Sequence, residues 1–388
     1  MTVSENQKIR VLITDDMDPI ASELLRSDPN FYVHQDNELK TPELLKTLNE
    51  GHYDALVVRS RELDAEFMQN APRGLFVLRG GTGINNFNLG AAANNAILVA
   101  NTPKGNVAST ATLTITLMGS LARRIPYVNA GVHSGVWDKK SAKNDEVLDG
   151  KILGIIGCGR IGFDVAKRAM GGFNMEVIAY DPYLTQEQKS EREAHNITFV
   201  ENQDDLFYNS DVITVHANLL HPDLKNREDM RHIVSASNVI NAENIAKCKT
   251  GAHIVNCSRG QMVDPAALRD GLDSNILAGA ALDVLRKEPS KDDPEGWKIN
   301  NPLLGAKKLI LTPHIGGTTV QSLRLCAEEC VRELKMHFIQ REISENIVNL
   351  KMFQECGWTM FGTHAKIFAL RPPENMMVIG DRVAAERK

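Results

Sequence analysis

Leu153-Gly154-Ile155-Ile156, followed directly by Gly157-Cys158-Gly159-Arg160-Ile161-Gly162, is an apolar strand-like run that ends in a glycine-rich turn. Behind the turn, Ile161, Val165, Ala166 and Ala169 recur at helical spacing, so the segment reads as strand, tight turn and helix. That context makes the G-x-G-x-x-G pattern a dinucleotide fingerprint. Gly157 permits the turn, Gly159 lets the backbone approach a pyrophosphate, and Gly162 allows the helix to pack close to the strand. The helix N-terminus offers N–H donors and partial positive charge to the anion. Asp181 ends the next strand-like run, Val177-Ile178-Ala179-Tyr180, 19 residues after Gly162. A carboxylate there binds ribose hydroxyls and repels a 2′-phosphate, and Pro182-Tyr183 adds no cation. The expected cofactor is NAD.

Working outward, short apolar runs alternate with helix-like segments along most of the chain. Ile9 to Ile13, Ala55 to Val58, Leu75 to Leu78 and Ile97 to Ala100 precede the fingerprint, while Val212 to Val215, His253 to Asn256 and Leu309 to Thr312 follow it. Regular β-then-α alternation predicts α/β architecture with mostly parallel sheets covered by helices. One helix is expected over Asn106 to Arg124, after the turn-forming Asn101-Thr102-Pro103-Lys104-Gly105. Leu219 to Asn241 is long, polar and charged and reads as a solvated surface insertion. The tail from Lys351 carries Phe353, Trp358, Phe361 and Phe368, aromatics that suggest docking onto this chain or a partner.

At 388 residues the chain is long enough for two or three domains with cores that need no disulfide staples. Its 44 basic and 49 acidic residues give a net charge of −5, and no basic block suits a phosphate backbone, which argues against a nucleic-acid partner. No apolar stretch approaches the roughly 18 residues of a membrane span, and Met1 to Arg10 lacks a signal peptide's apolar core, so the expectation is a cytoplasmic protein. Cys158, Cys248, Cys257, Cys326, Cys330 and Cys356 show no paired ligand spacing, so free thiols and no metal are expected.

Three polar residues stand just beyond apolar runs: Arg259 after Ile254 to Ser258, Glu288 after Ala281 to Leu285, and His314 after Leu309 to Pro313. Ligands of open parallel sheets bind beyond the carboxyl ends of the strands, so the three can meet in one cleft. Hydride transfer between a nicotinamide and a 2-hydroxy acid needs a group that exchanges the hydroxyl proton and a cation that holds the carboxylate. Histidine titrates nearest neutrality, a carboxylate beside it favours its charged form, and arginine forks onto a carboxylate. Taken singly, the plainer readings are a surface cation, a loop acid before Pro289 and a turn residue.

Together these segments resemble a known family. Gly157 to Gly162 with Asp181, Asn256 to Gly260 with Val263-Asp264, Gly279 to Val284 with Glu288-Pro289, and Thr312 to Gly317 are similar to successive signatures of the D-isomer-specific 2-hydroxyacid dehydrogenases, over roughly residues 8 to 350. Val58-Arg59-Ser60, Arg79 to Gly83, Asn101 to Asn106 and Arg123 to Pro126 resemble the branch of that family acting on D-3-phosphoglycerate. The resemblance implies two Rossmann-like doubly wound domains with a cleft between them. The first, substrate-binding, would be discontinuous (1 to 103 and 319 to 350), the second would bind NAD (104 to 318), and 351 to 388 would be a tail of open role.

For the residues, the resemblance implies His314 as the acid/base, Glu288 as the group holding its imidazole, and Arg259 as the clamp on the substrate's carboxylate and carbonyl. Gly157, Gly159, Arg160, Ile161, Gly162 and Asp181 would bind the cofactor, with Asp283 at its nicotinamide end and Thr82, Ala217, Cys257, Ser258, Gly316 and Gly317 lining its cleft. Arg59, Ser60, Gly81 and Lys139 would bind substrate, Arg59 and Lys139 taking a phosphate. The implied reaction interconverts D-3-phosphoglycerate and 3-phosphohydroxypyruvate, a step of serine biosynthesis, in a homodimer or homotetramer. The alternatives are a glyoxylate or hydroxypyruvate reductase, or a non-catalytic NADH-sensing protein of the corepressor kind. Asn85, Asn88, Thr112 and Ala217-Asn218 depart from the family pattern, and Lys139 stands where Arg is usual. A lysine there supplies a point charge in place of a fork.

Overall fold

A computed structural model describes residues 8–219, 238–289 and 293–358. Its contacts divide the chain into two compact units, with boundaries at Asn106/Val107 and Thr319/Val320. The unit holding both ends of the described chain carries five parallel strands: β1 (Ile9–Ile13), β2 (Phe31–Gln35), β3 (Ala55–Val58), β4 (Phe76–Arg79) and β5 (Leu98–Asn101). They lie in the order β2-β1-β3-β4-β5. The second unit carries β6 (Ile152–Ile156), β7 (Glu176–Tyr180), β8 (Ile197–Phe199), β9 (Val212–Val215), β10 (Ala252–Asn256), β11 (Leu277–Leu282) and β12 (Leu309–Leu311), all parallel. Their order is β12-β11-β10-β9-β6-β7-β8, so chain direction across the sheet reverses at the β6/β9 pair.

Burial explains why some strands stand out in the sequence and others do not. Every residue of β3, β9 and β10 is buried, as strands covered by helices on both faces must be, and such strands read as largely apolar runs, broken here only by Thr214 in β9 and by His253 and Asn256 in β10. β2 and β8 lie at sheet edges, and each has a single buried residue, Phe31 and Ile197. Neither was anticipated: β2 mixes Phe31, Tyr32 and Val33 with His34 and Gln35, and β8 is only three residues long.

The helix expected over Asn106 to Arg124 is found as Val107–Ala122, and a second helix, Ile125–His133, follows it directly. Arg124 adopts the left-handed conformation at φ 47°, and Pro126 begins the second helix, where its missing N–H costs nothing. Arg124 holds this corner by pairing with Asp145. The charged stretch 219 to 241 lies mostly outside the described residues, but its end is not loop-like. Ile240 is fully buried and bridges Val263, and Asn241 caps the helix Ala242–Lys247 by accepting the Asn244 N–H.

The chain returns to the first unit through the helix Val320–Lys335, whose buried face includes Ala327, Cys330, Val331 and Leu334. Beyond it Val348 donates its N–H to the Val99 carbonyl, while the Asn349 side chain pairs with both the Val99 N–H and the Ile97 carbonyl. The buried Asn349 amide therefore completes the backbone pairing of the β5 edge. The tail's first aromatics dock on this unit: Phe353 is buried, and Trp358 donates its indole N–H to the Ala93 carbonyl. Phe361 and Phe368 lie outside the described residues. Among the described residues, no helix is long and apolar enough to cross a membrane.

Candidate active site

The fingerprint sits where the sequence places it, on the turn from β6 into the helix Arg160–Phe173, beside the point where the strand order reverses. Gly157 has φ +90°, and a Cβ on it would lie 2.6 Å from the Ala217 nitrogen, so no side chain fits. A Cβ on Gly162 would stand 2.2 Å from the Gly157 carbonyl oxygen, which shows how closely helix and turn pack. A Cβ on Gly159 would meet nothing within 4 Å. That glycine therefore faces open space, the room a pyrophosphate needs beside a helix N-terminus opened by Arg160 and Ile161.

Asp181 follows β7 and accepts the Cys158 N–H at 2.9 Å and the Tyr183 N–H at 3.1 Å. Burial raises its pKa, opposed by those backbone donors and by Arg192. The carboxylate is tied to the glycine turn and stands at the end of the strand next to β6, the position from which an acid reaches a ribose. The residues present therefore fit a dinucleotide. Asp181→Ala is expected to lower the ratio of NAD to NADP catalytic efficiency by about tenfold or more, since it removes both the ribose acceptor and the repulsion of a 2′-phosphate. An unchanged ratio in steady-state kinetics counts against that role.

Arg259, Glu288 and His314 leave the ends of the neighbouring strands β10, β11 and β12 and are brought together. His314 Nδ1 lies 2.8 Å from Glu288 Oε2, while Glu288 Oε1 accepts the Leu285 N–H at 3.1 Å. Because an ionised carboxylate can only accept, this contact places a proton on Nδ1 and leaves Nε2 as the atom that exchanges protons with a ligand. Burial pushes the Glu288 pKa up, but the hydrogen bond and charge of His314, the Leu285 N–H and Arg259 together bring it below the usual value. Burial pulls Arg259 down and Glu288 partly restores it. Arg259 stays a cation at neutral pH.

Asn256 and Gly260, which have no role in the sequence reading, and Asp283, which was expected at the nicotinamide end of the cofactor, build this arrangement. Buried Asn256 accepts both the N–H and the hydroxyl of Ser258 through Oδ1 and donates from Nδ2 to the Arg259 carbonyl, a side-chain turn that aims Arg259 off the strand. At Gly260 a Cβ would lie 2.0 Å from the Leu285 carbonyl, so only glycine lets the Arg259 turn lie against the segment leading to Glu288. His314 is held at φ 55°, uncommon outside glycine, with its N–H donating to the Asp283 carbonyl. Asp283 is 1% exposed, and its carboxylate accepts the Thr312 hydroxyl at 2.6 Å, the Ile315 N–H at 2.9 Å and the Gly316 N–H at 2.8 Å. It thus organises the turn that presents His314. An Asn between a strand and Ser-Arg-Gly is a turn signal the sequence carries, whereas the Asp283 partners lie about thirty residues on and leave no local trace.

The remaining expected residues divide between the units. Cys257 is buried, its thiol pushed up to about 12 by burial, and Gly316 passes its carbonyl to the Ser109 hydroxyl at 2.6 Å. Gly317 continues that turn, and Ala217 packs against Gly157. Lys139 opens an exposed 3₁₀ turn (Lys139–Asn144) in the second unit. Arg59, Ser60, Gly81 and Thr82 belong to the first unit. There Asp15 Oδ2 accepts three successive N–H groups, from Arg59, Ser60 and Arg61, at 2.7, 2.7 and 3.0 Å. The Gly81 N–H donates to the Arg79 carbonyl at 2.9 Å, so an incoming carboxylate would compete with that bond. Thr82 donates its hydroxyl to Asn106. Among the described residues, no group of His, Cys, Asp and Glu side chains can hold a metal ion.

Comparison with known proteins identifies the family of the chain. Residues 115–316 match the NAD binding domain of the D-isomer specific 2-hydroxyacid dehydrogenases. The chain is 37% identical over 321 residues to D-3-phosphoglycerate dehydrogenase of Sus scrofa, covering 82% of this chain and 55% of that protein. It is 35% identical over 343 residues to the protein of that name from Methanocaldococcus jannaschii, covering 88% and 60%. The chain thus spans little more than half the length of these curated relatives. A glyoxylate reductase structure from Paecilomyes thermophila superposes with a TM-score of 0.72 at 25% identity, covering 88% of this chain and 98% of that one. With the glycine turn, Asp181 and the Arg259, Glu288 and His314 arrangement on the ends of one parallel sheet, the chain belongs to the D-isomer specific 2-hydroxyacid dehydrogenases.

Proposed function

We propose that this protein is an NAD-dependent oxidoreductase interconverting D-3-phosphoglycerate and 3-phosphohydroxypyruvate. The observation that carries the reading is the 2.8 Å contact of His314 Nδ1 with Glu288 in a unit that also holds the dinucleotide turn. A bound nicotinamide supplies or receives the hydride. The protein's own residues do the rest. His314 Nε2 gives its proton to the keto oxygen in reduction and takes it back from the hydroxyl in oxidation, and ionised Glu288 stabilises the imidazolium between the two. Arg259 holds the substrate's carboxylate and polarises its carbonyl.

The choice of substrate rests on the curated relatives and on Arg59 and Lys139, the cations assigned to the phosphate. Assay of NADH oxidation with 3-phosphohydroxypyruvate and with hydroxypyruvate tests it. A strong preference for the phosphorylated acid is expected, and Arg59→Ala or Lys139→Ala should raise its KM about tenfold while leaving hydroxypyruvate little changed. Equal rates would move the substrate to hydroxypyruvate or glyoxylate. Tight NADH binding without turnover would favour a dinucleotide-sensing role.

We also propose a homo-oligomer. Ile125, Tyr127, Val132, Val136, Trp137 and Val147 are all large, apolar and exposed within one short stretch, with Trp137 83% exposed.

A further inference from the structure

Arg192 lies in the helix Gln186–Glu193 and is only 6% exposed, an unusual setting for an arginine in a segment whose other residues are mostly polar and solvated. Its Nε donates to the Cys158 carbonyl at 3.1 Å, and its guanidinium lies over the Phe163 ring at 4.7 Å. It also donates to the Gln188 carbonyl and pairs with Glu191. Cys158 stands between Gly157 and Gly159 inside the glycine turn, and its own N–H donates to Asp181 at 2.9 Å. One peptide group pair thus links the arginine to the acid: guanidinium to Cys158 carbonyl, Cys158 N–H to carboxylate.

We propose that Arg192 is a positioning residue for dinucleotide binding, which anchors the glycine turn through the Cys158 carbonyl and keeps Asp181 ionised and aimed at the ribose. The proposal deepens the assignment of NAD to this site and does not depend on the substrate. Arg192 is buried behind the turn. It acts through two others, with a hydrogen bond that holds the turn's shape and a buried cation that offsets the cost of a buried carboxylate. Burial raises the Asp181 pKa while Arg192 draws it down. The other groups near this link are the Cys158 thiol, pushed up to about 12 by burial and so uncharged, Glu191 in its pair with Arg192, Tyr183 beyond the carboxylate, and His195 and Lys167 against the Phe163 ring.

The two contributions separate in one experiment, calorimetric titration of the whole protein with ADP-ribose between pH 4 and 8. The wild-type affinity should fall below a break set by the Asp181 ionisation, and Asp181→Asn should remove that break. Arg192→Gln, which keeps an N–H donor without charge, should move the break up by about one pH unit. Arg192→Lys, which keeps the charge without the planar fork, should leave the break in place and weaken the neutral-pH affinity about fivefold to tenfold. Arg192→Met should do both. If all three variants only lower the plateau by similar factors, or change nothing, Arg192 is a packing residue and the proposal fails. If Arg192→Met does not fold, the Gln and Lys pair decides. A wild-type protein that binds no ADP-ribose at any pH would instead overturn the cofactor assignment.

Discussion

His314→Ala should lower turnover by about 10³- to 10⁴-fold while NADH affinity stays within a factor of two or so of wild type, because general acid–base transfer is lost and the dinucleotide turn is untouched. The glycine turn lies on β6 and Asp181 beyond β7, whereas His314 leaves β12 at the far side of the sheet. Fluorescence titration with NADH beside stopped-flow reduction of the keto acid reads both quantities. Loss of NADH binding with unchanged turnover per bound site would sink the role given to His314. Glu288→Gln should cost less, about 10- to 100-fold, and should narrow the pH range of activity, since an amide holds the ring but does not stabilise its charge. The sign follows from the lowered Glu288 pKa. A depressed carboxyl contributes its stabilisation above its unfolded pKa and loses it as pH falls through the folded one, so the contribution of Glu288 itself is lost on the acid side.

Arg259→Leu should reduce kcat/KM for the keto acid by about 10²- to 10³-fold, the usual cost of deleting a charge-assisted clamp on a carboxylate whose carbonyl gains charge in the transition state. Arg259→Lys should recover only part of this, because an ammonium cannot reproduce the planar fork. Both KM and kcat should change, in contrast to the phosphate cations, whose loss should act mainly on KM. NADH affinity is again the internal control. An Arg259→Leu enzyme with wild-type kcat/KM would remove Arg259 from the site and leave it as a partly buried cation near Glu288.

Much of this was legible in the residues themselves because the signals are local. Gly162 is required by a distance within one turn, 2.2 Å from its absent Cβ to the Gly157 carbonyl, and Gly157 by its φ of +90°, while Gly159 faces the open space an anion needs. Central strands such as Val212–Val215 announce themselves because burial on both faces leaves no exposed position, and three of its four residues are β-branched and apolar. Edge strands do not. Phe31–Gln35 and Ile197–Phe199 have one buried residue each and run only five and three residues, too short for a hydrophobic period to separate them from other short apolar runs. The end of the long helix at Arg124 was legible, but the second helix, Ile125–His133, was not: it has no buried residue, so no apolar stripe marks it, and it starts from the left-handed turn that Arg124 makes beside Asp145.

The sequence by itself determined the α/β alternation, the dinucleotide turn with its acid, and the identity of Arg259, Glu288 and His314 as candidates, since each follows from spacing along a few residues at a strand end. Only the tertiary structure decided what makes them a site. Asp283 turns its carboxylate to three donors about thirty residues on, Gly260 admits the Leu285 carbonyl, Asn349 completes a strand 250 residues before it, and Arg192 reaches back to Cys158. The reason is physical: a buried polar group must find partners, and in a parallel sheet those partners arrive from neighbouring strands joined by whole helices, far away in the chain.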